Sequence, residues 1–186
     1  MILGNFSIHI MGKQGKIKNG NNKAKHTKLL NQKKAKVRDA KALNKQRLKA
    51  IMAKKNQLEQ PCPCGSEITY EECCYKGHMA IETLVTAEQL MRSRYSAYVM
   101  ADIDYLMKSH HSTTCPNNEK EEILKWTKSV KWIRLEVLNS SKGLDNDSDG
   151  TVEFKAYFKE NGIVSVIHEN SKFIKENKYW VYLGEA

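Results

Sequence analysis

The residues in this chain best suited to chemistry are cysteines in a Cys-x-Cys-x8-Cys-Cys arrangement: Cys62, Cys64, Cys73 and Cys74. Thiolates are the soft ligands that zinc gathers into a tetrahedron at about 2.3 Å. Pro63 and Gly65 suit a tight turn that brings the first two together, and a spacer opening Gly65-Ser66 is long enough to fold back. The last two are adjacent, and neighbours in an extended chain face opposite ways. Both reach one ion only where the backbone turns, so His78 and Cys115 stand in reserve for the fourth position. The competing readings are incidental buried thiols and a redox dithiol. A full set of thiolates leaves no position for water, so the expected zinc is structural, not catalytic. It would supply on the order of 10 kcal/mol to a module too small for its own core.

A second candidate set surrounds one cation. On a helix Arg94 lies at the centre of the stripe Ala87, Leu90, Met91, Ala97, Tyr98 and Ala101, whereas Arg92 points the other way. A charge in an apolar face must be paired or reach a polar cavity. Glu136, Glu169 or the backbone could pair it and fix helix against sheet. The alternative is a ligand pocket containing Arg94 and Tyr98 or Tyr95, joined by His111 and His168. The chain carries no nucleophile elbow, phosphate-binding glycine loop or His-rich metal motif, so no catalytic residue is assigned. Asp145-Asn146-Asp147-Ser148-Asp149-Gly150 begins like a calcium loop, but its twelfth position is Ala156 where a bidentate Glu is required. It reads as a solvated acidic loop, and Cys115 beside Pro116 reads as an ordinary loop thiol.

The elements that must position these residues are legible in outline. Thr86 and Gln89 have capping-box spacing at the head of a helix over 87–101. Asp102 can cap a second helix through Ile103, Leu106 and Met107, and a third fits 118–129. From Trp132 the apolar period becomes two. Strands are predicted over 132–138, 152–159, 163–169 and 179–183, with 172–175 continuing the third or following a bulge. A polar loop spans 140–150, and Asn161-Gly162 is the pair that a tight hairpin prefers. Helices followed by a meander of strands predict an α+β domain, a curved antiparallel sheet with helices on one face.

Residues 62–78 resemble the SEC-C motif, a short zinc-binding element found at the C-terminus of the SecA translocation ATPase and in many uncharacterised bacterial proteins. Its Cys-x-Cys-x8-Cys-Cys/His pattern falls on Cys62, Cys64, Cys73 and Cys74, and Pro63, Gly65, Ser66 and Tyr70 match its common form. The stretch LMRSRYSAYVMADIDYLMKSHH at 90–111, HENSKF at 168–173 and YWVYL at 179–183 resemble the YchJ-type proteins. That resemblance implies a SEC-C element followed by a nuclear-transport-factor-two-like cone, and it implies no established activity. The chain departs from it at His110-His111-Ser112, where the family typically has Trp-His-Pro. A basic arm is not part of the family pattern, and the second C-terminal cysteine element of some members is absent.

Charge divides the chain. Of the formal +10, residues 1–60 hold 16 Lys and Arg against 2 acids, and the remainder holds 15 against 19. Residues 26–58 lack Pro and Gly, and their thin stripe of Leu29, Leu30, Val37, Leu43, Leu48, Ile51 and Met52 suits no core. A helix or helix-prone disorder, standing away from the body and ended by Pro61, is expected. Its few acids and aromatics suit phosphate contact through residues 13–55 and not base reading; a merely solubilising tail is the plain alternative. No run is apolar enough to span a bilayer, MILGNFSIHI is a poor signal peptide, and Met11 is an alternative start. A reducing, cytoplasmic setting is therefore expected, where clustered thiols bind metal. The expected organisation is a basic arm at 1–60, a zinc module at 61–80 and a cone-shaped α+β domain at 81–186. The expected role is a non-enzymatic interaction module docking to a protein or ribonucleoprotein partner. A small-molecule-binding or hydrolytic cone domain and RNA binding through the arm are the alternatives.

Overall fold

The computed structural model describes residues 20–186. The alternative start at Met11 and the first part of the 13–55 segment lie outside the described residues.

Helix α1 runs over Gly20–Leu58. Contacts divide the chain after Ile51, so the first part of this helix forms one unit and its end belongs to a second unit reaching to Ala186. Within the first unit Leu29, Leu30, Val37, Leu43, Leu48 and Ile51 are all 43–61% exposed. No buried face holds this stretch, so its helicity rests on the propensities of Ala, Lys, Leu, Gln and Arg. Pro61 lies just beyond its end and pairs through an isolated bridge with Thr69.

In the second unit, α2 covers Cys74–Met79 and α3 covers Ala87–Met100. Thr86 opens α3 by accepting from the Gln89 N–H at 3.1 Å, and the Gln89 side chain accepts from Val85 N at 2.8 Å. The box is reciprocal, with its return bond placed one residue earlier than usual. At the other end Ala101 adopts φ 54°, with Ala101 N bonded to Tyr98 O and Asp102 N to Ala97 O. This is a Schellman closure made by alanine where glycine is usual. Asp102 then caps α4, Ile103–Lys108, by accepting from Tyr105 N. A single 3₁₀ turn leads into α5, Lys120–Ser129.

The strands β1 (Lys131–Lys142), β2 (Asp149–Glu160), β3 (Ile163–Glu176) and β4 (Tyr179–Glu185) form an antiparallel meander in the order β1-β2-β3-β4. The expected loop over 140–150 shrinks to 143–148, because Ser140, Ser141 and Lys142 pair with Val152, Thr151 and Gly150. Polarity hid that pairing, but two glycines permit it: a Cβ on Gly150 would stand 2.5 Å from the Gly143 Cα. Strand β3 is continuous, and its irregularity falls between Lys172 and Phe173 against β4. Register shifts at Trp132/Arg134 and Val137/Asn139 bend β1. The Asn161-Gly162 turn has φ 49° and 87°, the double-positive form its sequence favours. The β3–β4 turn uses Asn177 and Lys178 at φ 50° and 71°, a conformation the lysine does not advertise.

One sheet face packs on α3 and α4. Leu90, Ala97, Leu106, Val152, Phe173 and Trp180 are at most 1% exposed, and Trp180 donates its indole N–H to Val85 O at 3.0 Å. In the acidic loop Asp147 accepts from Leu144 N, Lys175 reaches Asp145, and Lys142 pairs with Asp149. Its carboxylates are thus spent on its own backbone and lysines.

Candidate metal centre

The backbone makes a sharp entry to α2. Cys73, at φ −111° and ψ −112°, precedes the helix, and Cys74 is its first residue. Here is the turn that adjacent ligands need. At the other limb, Gly65 N donates to Cys62 O, and Cys62 N to Ile68 O, folding the strand of the loop back on itself. Gly65 stands at φ 76°, which suits its lack of a Cβ.

The result is a cluster in which the sulfurs of Cys62, Cys64, Cys73 and Cys74 all lie within 4.8 Å of one another. Cys64 and Cys73 are 3.6 Å apart, and Cys73 and Cys74 are 3.8 Å apart. Sulfurs at about 2.3 Å from a tetrahedral ion stand about 3.8 Å from each other. The donor set and its spacing therefore fit zinc. Cys62, Cys64 and Cys74 are buried, and all the cysteines are free thiols. Shared protons settle unevenly among them. Hydrogen bonds from the Cys64 and Cys74 thiols pull Cys62 far below the ordinary thiol value, while Cys62 pushes Cys64 up to about 11 and Cys74 higher still. Such a cluster carries one negative charge readily and a full set of thiolates only around a cation.

Neighbouring groups hold the ligands in place. Ser66 Oγ donates to Cys73 Sγ at 3.1 Å, and Ser96 Oγ lies 3.7 Å from Cys62 Sγ. Arg92, anchored by Glu88, donates to the Cys64 carbonyl at 3.0 Å. Partners of this kind orient first ligands and tune their basicity. The residues held in reserve, His78 and Cys115, lie outside the thiol cluster. His78 Nε2 donates to the Ser93 carbonyl at 2.8 Å, joining α2 to α3, and its Nδ1 meets the Tyr70 hydroxyl at 2.7 Å, joining α2 to the loop before it. Cys115 sits beside Met107 O and Asn117, away from the cluster.

Helix α3 also borders a cavity of about 140 Å³. Arg94 and Tyr98 line it, as do Tyr95, Trp126, Trp132, Phe154, Glu169 and Tyr182. Arg94 is only 8% exposed, yet among the described residues no carboxylate pairs with it. Its Nη1 donates to Leu106 O and Ser109 Oγ, and its guanidinium lies 4.6 Å from the Tyr182 ring centre. Glu136, offered as a partner, is instead taken by Arg134 and Tyr157. Glu169 accepts from the hydroxyls of Tyr182 and Ser171.

Two expected pocket residues are elsewhere. His168 is half-exposed and bonds Glu153 at 2.8 Å; strand alternation turns its neighbour Glu169 inward and His168 out. His111 lies 3.6 Å from Glu176 and near Thr113, on the segment leading from α4. The walls that sequence reasoning missed, Trp126 and Trp132, flank the helix-to-strand junction. Their signal was large aromatics near the point where the apolar period changes.

Family models match most of the second unit: residues 86–185 match "YchJ, middle NTF2-like domain", and residues 60–76 match the SEC-C motif. The UPF0225 protein of Vibrio parahaemolyticus is 41% identical over 126 residues, spanning 68% of this chain and 74% of that protein. A UPF0225 protein of Shewanella sp. strain MR-4 is 39% identical over 130 residues, 67% of this chain and 79% of its own. Among solved structures, a SEC-C motif containing protein from Rhodopseudomonas palustris superposes with a TM-score of 0.59 at 33% identity, covering 68% of this chain and 98% of that one. One from Psychrobacter arcticus gives 0.58 at 31% identity, over 68% and 82%. These matches carry the thiol cluster and the sheet together, and on them the chain belongs to the YchJ-type UPF0225 family, a SEC-C element joined to an NTF2-like domain.

Proposed function

We propose that this chain is a non-enzymatic zinc-binding interaction module. The single observation behind the reading is the mostly buried four-thiol cluster, with spacing suited to a tetrahedral ion whose four positions the thiols would fill. Cys62, Cys64, Cys73 and Cys74 would hold the ion, which would bring folding energy and a rigid surface to residues 61–80. That surface docks to a protein or ribonucleoprotein partner, presented by the cone domain over 81–186. A cytoplasmic setting fits free thiols, and among the described residues no helix is long and apolar enough to cross a membrane.

Metal analysis of the purified full chain tests the first half: one zinc per chain is expected, and a metal-free protein with intact thiols refutes it. Ribosome co-sedimentation, comparing wild type with Cys73→Ser plus Cys74→Ser, tests the second. Equal recovery of both forms removes the docking role from the metal module.

RNA contact by the basic segment is a second reading, supported by the exposure of the described part of α1 and the charge of residues 1–60. Filter binding of RNA across about 50–300 mM salt should show a steep fall in affinity, and a flat response excludes phosphate contacts.

A further inference from the structure

We infer that the cavity beneath α3 binds a small aromatic carboxylate, a single planar ring bearing one acid group. This inference is independent of the metal centre and of any docking partner.

Size sets the first limit. The cavity holds about 140 Å³, close to the roughly 150 Å³ apolar cavity that accepts a benzene ring. The wall sets the second. Trp126 and Trp132 meet edge to face at 5.6 Å, and Tyr98 packs on Trp132 at 5.5 Å. Interlocked rings of this kind form a preshaped slot for a flat ligand, with little side-chain ordering left to lose on binding.

Charge decides the ligand's polar end. Arg94 and Glu169 both border the space, and their needs differ. Glu169 already accepts from two hydroxyls, Tyr182 and Ser171. Arg94 has only a carbonyl and a serine hydroxyl, both at Nη1, and no counter-charge among the described residues. A guanidinium carries five donors in a planar fork that matches a carboxylate. The unmet group at this cavity is therefore the Arg94 guanidinium, a positive charge with donors to spare, and an acid supplies what it lacks. A ring bearing an ammonium would enjoy the aromatic wall and Glu169, but it would enter the same small space as an uncompensated arginine.

The test titrates the full-length, metal-replete chain with benzoate, benzyl alcohol and benzyltrimethylammonium, followed by calorimetry and by NMR shifts of the tryptophan indoles. Benzoate should bind about tenfold or more tightly than the alcohol, as a hydrogen bond to a charged group implies, and the quaternary ammonium more weakly than either. Ala156→Leu fills the cavity from a wall position that is 3% exposed and should abolish binding. Arg94→Gln should erase the preference for acid over alcohol. Should Arg94→Gln fail to fold, the ligand-charge comparison on wild type and the Ala156→Leu variant still decide. No binding by benzoate, equal or tighter binding of the alcohol or the ammonium, or benzoate binding that survives Ala156→Leu overturns the inference.

Discussion

Helix α3 separates two sites built on opposite principles. Ser96 and Arg92 turn to the thiol cluster, Met91, Arg94 and Tyr98 turn to the cavity, and Tyr95 serves both, packing with Cys62, Cys64 and Cys74 while it lines the cavity. The thiol cluster gathers its sulfurs from one short segment, where local turns suffice to bring them together. The cavity takes its walls from α3, α5 and every strand of the sheet. A contiguous site depends on local backbone geometry and an ion; a dispersed one depends on the sheet being in register. The two should therefore fail separately.

The largest expected effect comes from removing metal. Chelation, or Cys73→Ser with Cys74→Ser, withdraws binding energy on the order of 10 kcal/mol from residues that have little core of their own. Hydrogen exchange should then show lost protection over 62–78, while amides of β2 and β3 remain protected. Simultaneous loss in the sheet would make the two sites one cooperative unit and dissolve the distinction.

Next comes the link between them. His78→Phe removes both ring hydrogen bonds and leaves the Ser93 carbonyl without that partner. The cost should be about 2 kcal/mol in the metal-bound protein, and markedly less once chelation has released the module. Thermal unfolding of both variants with and without chelator measures that coupling. An equal cost in both states would show that His78 stabilises α3 alone.

The same contrast governs what sequence could reveal. The clustering of Cys62, Cys64, Cys73 and Cys74 is legible because their spacing is a local code. The helices at Thr86 and Asp102 and the Asn161-Gly162 turn are legible for the same reason: each rests on a side chain bonding or relaxing its own backbone. Arg94 stood out as a charge in an apolar stripe. Glu169 and a backbone carbonyl were named as its candidate partners, and Leu106 O is one of those it bonds; Trp126 and Tyr182 were not, because they reach it only through tertiary register. Parity alone separates Glu169 from His168, and no local rule fixes which of the two turns inward. The tight β1–β2 connection was masked by polar residues, whose pairing depends on Gly143 and Gly150 approaching closely.

Acid should bear on the cavity side through His110, whose ring packs edge-on against Tyr182 at 5.0 Å. Burial first, then Arg94 and His111, disfavours its proton and holds it down at about 4, against 6.5 ordinarily. The unfolded chain gains this proton at its ordinary value and the folded chain only at the lower one. The contribution is thus complete above about pH 6.5 and is lost as pH falls toward about 4. For a half-buried ring the loss should be on the order of 1–2 kcal/mol after screening. The unfolding midpoint of wild type should therefore fall more steeply between about pH 6.5 and about pH 4 than that of His110→Asn, with no such difference in slope above about pH 6.5. Metal release affects both proteins, so the difference between their profiles isolates the imidazole; parallel profiles would remove His110 from the account.

The smallest effect belongs to Thr86, and it bears on both sites because α3 carries both. Its hydroxyl satisfies the Gln89 N–H, one of the donors that a helix leaves open at its start. Thr86→Ala should cost about 1 kcal/mol, a fall of roughly 3–5 °C in Tm for a unit of this size, and Thr86→Ser should restore most of it. The residue is half-buried but its hydrogen bond is open to solvent, so water replaces part of the lost bond, and the Gln89-to-Val85 half of the box can persist. Fraying of the first turn would reach Leu90 and Met91 before it reached Ser96. Zinc content should therefore stay unchanged while the cavity-lining tryptophan signals broaden. If metal is lost as well, the N-terminal turn of α3 is part of what holds the ligands, and the two faces of the helix are less independent than their construction implies.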